Sequence, residues 1–82
     1  MSDGPKLHVR KKLDERPTLK QAQQLVAGGG LVQLVTLAND DQMLVDEEGL
    51  LKNLPPNYEA SKLAGIALVG DALLLQGEAR WD

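Results

Sequence analysis

The sequence predicts a small α+β domain, approximately β-α-β-β-α-β-β, with a mostly antiparallel sheet and two helices packed on one of its faces. Three observations predict it. Two segments, 18–27 and 57–64, carry apolar residues at helical spacing between a good N-cap and a glycine. Short runs rich in Val and Leu lie around them, bounded by turn residues. With 82 residues the chain has enough apolar material for one core, so helices and strands must share it.

Residues 6–13 alternate: Leu7, Val9 and Leu13 fall on one side, Lys6, His8, Arg10 and Lys12 on the other. That is the period of a half-buried strand. Lys11 breaks the alternation, which an edge strand tolerates, and lysines on an edge discourage sheet-to-sheet pairing. Thr18, after Arg16 and Pro17, suits an N-cap, and Gln21 stands where a capping box needs its amide. Leu19, Ala22, Leu25 and Val26 then share a face, with Lys20, Gln21, Gln23 and Gln24 away from it. Gly28, Gly29 and Gly30 end the helix, because glycine takes left-handed angles without penalty.

Residues 31–38, LVQLVTLA, are nearly all apolar and predict a central strand covered on both faces. Asn39, Asp40 and Asp41 make a turn, and residues 42–46 return as the hairpin partner. A loop with Leu50, Leu51 and Leu54 leads to Pro55 and Pro56, which stop regular structure. Asn57 caps a second helix over 57–64, with Ala60, Leu63 and Ala64 facing in and Gly65 as its stop. Within residues 66–76, Gly70 and Asp71 turn two short strands or bulge one long strand, and the hairpin is favoured. Residues 1–5 and 77–82 read as flexible tails to a single domain spanning 1–82.

Composition narrows the function classes. Phe and Cys are absent, and there is one Trp and one Tyr, so the core must be aliphatic. Without Cys there is no disulfide framework or thiolate metal site, and nothing points to secretion. No signal-peptide pattern occurs, nor an apolar run near ~18 residues, so a soluble cytoplasmic protein without membrane contact is expected. Charge is uneven: residues 1–20 hold six Lys/Arg against three acids, and residues 21–82 hold three against nine. The N-terminal surplus of three is small for nucleic acid, where each phosphate contact generally takes its own cation.

Three stretches, PTLKQAQQLVAGGGLVQLV, LVDEEGLLKNLPPNYEASKLAG and IALVGDALLL, resemble a family of small, functionally uncharacterised phage and plasmid proteins, a domain of unknown function. The matching features are a Gln before a glycine-rich helix end (Gln23, Gly28, Gly29) and an acidic turn (Asp46, Glu47, Gly49). A Pro-x-Asn-x-x-Ala helix start (Pro55, Asn57, Ala60) and a Val-Gly-Asp strand (Val69, Gly70, Asp71) complete them. Two departures stand out: the helix ends AGGG rather than VGG, and Leu31 replaces the frequent aromatic. The resemblance covers most of residues 17–75. It implies a mobile-element origin and a non-enzymatic accessory role, with no activity assigned.

No constellation of residues supplies chemistry. Asp40, Asp41, Asp46, Glu47 and Glu48 lack the order of carboxylates, Gly and distal Glu that a calcium loop needs, so no metal is expected. Gly28–Gly30 follow a helix, where the dipole end is negative and repels phosphate. His8 is the only histidine, and no Ser, Thr or Tyr stands beside a plausible base, so neither a catalytic set nor a cofactor is expected. The leading expectation is therefore a phage-like accessory protein that binds and modulates or inhibits a host protein. Its partner-binding candidates are Asp46, Glu47, Glu48, Arg10, Lys12 and Trp81, the last either folding back on the sheet or offered to the partner. The alternative is an oligomer that sequesters a small molecule such as a nucleotide signal through Gln23, Arg10 and Asn57. A nucleic-acid binder using the basic N-terminal strand ranks last.

Overall fold

The structure, a computed structural model, describes residues 4–81. In chain order it contains β1 (Leu7–Arg10), α1 (Leu19–Ala27), β2 (Val32–Thr36), β3 (Gln42–Asp46), α2 (Tyr58–Ala64) and β4 (Ala72–Leu75). Single 3-10 turns lie at Leu13–Glu15 and Gly77–Ala79. The four strands form one mixed sheet in the order β1-β4-β3-β2. β1 runs parallel to β4, and the other two pairings are antiparallel. The α+β class is as the sequence predicts.

The core explains the order. β3 and β4 are apolar at successive positions, and successive side chains of a strand point to opposite faces. Leu44, Leu73 and Leu75 pack with Ala22, Val26 and Ala27 of α1 and with Ala79. Met43, Val45, Ala72 and Leu74 pack on the other side with Leu37, Leu68 and Ala60 of α2. The two helices therefore lie on opposite faces of the sheet, not together on one. A single helical layer cannot cover two strands that are apolar on both sides.

Three further expectations change. Residues 31–38 do not form the central strand: β2 pairs with β3 alone and is an edge, with Gln33, Leu34 and Thr36 exposed. β1 stops at Arg10 because the Glu15 carboxylate takes the N–H groups of Lys11 and Lys12, each at 3.1 Å, which turns the chain out of the sheet. Leu13 is left exposed as a result. Residues 66–76 give one strand instead of two. The 66–70 segment lies against Pro55 and Pro56, which have no N–H to donate, so only an isolated bridge between Pro56 and Val69 forms.

Local capping follows the sequence closely. Thr18 Oγ1 accepts from Gln21 N–H, and Gln21 Oε1 accepts from Thr18 N–H. Gly28 takes the left-handed angles that end α1. Asn57 caps α2 by accepting from Ala60 N–H at 3.0 Å. Its amide nitrogen also donates to the carbonyls of Lys6 (3.1 Å) and Gly70 (2.9 Å). Leu63 is half exposed, so α2 faces the core with Ala60 and Ala64 only. Residues 77–81 are anchored where a flexible tail was expected. Gln42 Nε2 donates to the Trp81 carbonyl at 2.6 Å, and the indole N–H donates to the Pro17 carbonyl at 2.9 Å. Residues 1–3 and 82, the remaining parts of the expected tails, lie outside the described residues.

Two outcomes follow for stability. Asn57→Ala removes a helix cap and leaves the buried Gly70 carbonyl without its donor, so it should cost at least about 2 kcal/mol in urea unfolding. The Lys11 and then the Lys12 N–H bonds hold the Glu15 pKa below its ordinary 4.5. A lowered folded pKa contributes stability above the unfolded value and loses it as pH falls through the folded one. The stability gap between wild type and Glu15→Gln, followed by urea midpoints, should accordingly be widest near neutrality and close below pH 4.5.

Candidate protein-binding site

The chain leaves β3 at Asp46 and enters a turn of unusually exposed leucines. Asp46 itself is buried. Its Oδ1 accepts from Glu48 N–H at 2.8 Å, and its Oδ2 pairs with Lys52 Nζ at 2.7 Å. Lys52 Nζ also donates to the Ala27 carbonyl at 3.3 Å, at the end of α1 where carbonyls lack helical partners and a cation suits the dipole. One lysine thus ties the turn to both the sheet and a helix.

The backbone of the turn is equally determined. Lys52 N–H donates to Glu48 O (3.0 Å), Asn53 N–H to Leu50 O (3.1 Å) and Leu54 N–H to Gly49 O (3.1 Å). A Cβ at Gly49 would stand 2.8 Å from Val69 Cγ2, so the chain passes where only glycine fits. Asn53 adopts φ +59°, in the left-handed region that Asn tolerates. Between these fixed points Leu50 is 83% exposed and Leu51 85%. Glu47 and Glu48 flank them, also exposed. A small concavity of about 90 Å³, lined in part by Gln33, Leu50, Ala67 and Val69, opens beside Leu50.

The sequence-predicted candidates are not one surface. Glu47 and Glu48 remain together on the turn, whereas Asp46 beside them is an internal strut. Trp81 is held by Gln42, at the opposite end of β3 from Asp46, and its ring is packed against the α1-side core. Arg10 and Lys12 belong to the β1 side, and the Arg10 guanidinium donates to the Val9 carbonyl. The three ligand-binding candidates are also separated. Gln23 lies on α1, Arg10 on β1, and Asn57 is buried at the start of α2 on the other face, its side chain committed to three backbone partners.

A larger concavity of about 590 Å³ lies by Leu13, Arg16, Arg80 and Trp81. Its guanidiniums serve the fold: Arg16 donates to Glu78 O, and Arg80 to Gly77 O and Asp40 O. Among the described residues no three metal-ligating side chains converge, and no helix is long and apolar enough to cross a membrane. Sequence reasoning missed Leu50, Leu51 and Lys52 as the features of interest. The available signal was the Leu-Leu pair itself, set between Gly49 and two prolines with neither a helical nor a strand period to bury it.

No family model, curated protein or solved structure matches this chain.

The strut has an asymmetric tolerance. Asp46→Asn keeps an oxygen for Glu48 N–H and leaves Lys52, already 40% exposed, to water. Lys52→Met leaves a carboxylate buried without its cation, which is the costlier error. Thermal unfolding should therefore rank Lys52→Met below Asp46→Asn, by more than about 1 kcal/mol.

Proposed function

We propose that this chain is a non-enzymatic binding protein that engages another protein through the turn carrying Leu50 and Leu51. The carrying observation is the near-complete exposure of two adjacent leucines on a backbone that is hydrogen-bonded, ion-paired and sterically fixed. Fully burying one such side chain is worth about 1.5–3 kcal/mol, and a preorganised turn loses little freedom on binding. Glu47 and Glu48 beside the leucines favour a partner whose apolar pocket is rimmed by Lys or Arg. The resemblance to small phage and plasmid proteins supports a cytoplasmic host protein as the partner and an accessory, modulating role.

The test is affinity capture from a lysate of the natural host, comparing wild type with a Leu50→Ser/Leu51→Ser double variant. Both side chains are exposed, so the variant should keep its thermal midpoint. It should lose at least about a hundredfold in affinity for whatever wild type retains. Equal retention by the folded variant sinks the proposal.

A further inference from the structure

The two edges of the sheet are unlike. β1 bears Arg10 and is flanked by Lys6, Lys11 and Lys12, a row of cations that repels a copy of itself. β2, at the other edge, has no such guard: residues 28–38 contain no charge and no proline. No strand follows it in the sheet order, and Gln33, Leu34 and Thr36 are exposed. Leu34 is 40% exposed although it lies opposite the fully buried Leu44.

The hydrogen-bonding parity of β2 can be read from its ends. The Leu31 carbonyl accepts from Glu47 N–H, and Leu37 N–H donates to the Asp41 carbonyl. Alternate residues of a strand direct their N–H and C=O to the same side. The backbone groups of Gln33 and Val35 therefore point to β3, and those of Val32, Leu34 and Thr36 point outward. Opposing two copies of β2 antiparallel about Leu34 pairs Leu34 with Leu34 of the second copy and Val32 with Thr36. In that register every outward N–H and C=O of the three residues finds a partner. Moving the two-fold axis to Val32 or Thr36 pairs fewer. The side chains agree as well: the two Leu34 cover one another, β-branched Val32 and Thr36 lie side by side, and no charge is desolvated.

We infer that the β2 edge is a self-association site, where a second copy of this chain adds antiparallel about Leu34 to make one continuous sheet of eight strands. Its α1 helices then share one face and its α2 helices the other. The pairing uses the outward groups of Val32, Leu34 and Thr36 and neither Leu50 nor Leu51, so each reading can fail without the other.

Sedimentation equilibrium across a concentration series tests it, together with the single variant Leu34→Lys, which sets two cations at the axis. Wild type should reach the mass of two chains, and Leu34→Lys should stay at one. The Leu50→Ser/Leu51→Ser variant should still dimerise. A wild type that remains a single chain at the highest concentration, or a dimer that Leu34→Lys leaves intact, overturns the inference. Should circular dichroism show that Leu34→Lys does not fold, amide exchange on wild type decides. Val32, Leu34 and Thr36 should slow as concentration rises while Gln33 and Val35 do not, and a pattern without that alternation overturns it.

Discussion

One buried amide holds the order of the chain. Asn57 accepts from the first turn of α2 while donating to Lys6 at the start of β1 and to Gly70 just before β4. These are segments distant in sequence, and the one side chain reaches all of them. Neighbouring groups reinforce the same junction. Asp71 accepts from Lys6 N–H at 2.9 Å, and the Ser61 hydroxyl donates to the Asn57 carbonyl while accepting from Leu68 N–H. The parallel pairing of β1 with β4 begins at this point. A polar residue with all its partners in place, inside an aliphatic core, sets register in a way that interchangeable leucines cannot.

Around that junction the core is divided. β3 and β4 form a wall that is apolar on both faces, with α1 against one and α2 against the other. The shorter helix meets its side of the core through small side chains, the buried Ala60 and the partly buried Ala64. The division also explains how the leucine turn stays rigid. It leaves the wall at Asp46, and Lys52 braces it against the end of α1, so the display of Leu50 and Leu51 depends on both layers.

What was legible in the sequence was local. The Thr18–Gln21 capping box, the left-handed Gly28, the Asn57 cap and the hairpin of residues 32–46 are each decided within a few residues. What was not legible depended on partners far along the chain. LVQLVTLA looked more like a central strand than ALLL, yet Gln33 and Thr36 place a polar group on each of its faces, and that marks an edge. IALV has strand composition, but the segment it meets is Pro-Pro, which offers no donors. In the acidic cluster, Asp46 and Glu47 are adjacent and chemically alike. Only the position of Lys52 makes one an internal strut and leaves the other at the surface.

Trp81 has a use beyond its packing. It is the chain's single tryptophan, and it packs against the α1-side half of the core. Its emission therefore reports on that half, whereas far-ultraviolet circular dichroism follows both helices. Unfolding curves recorded by the two signals will superimpose if the sheet transmits cooperativity from one face to the other. They will separate if the α2 side, held by alanines and by Asn57, comes apart first.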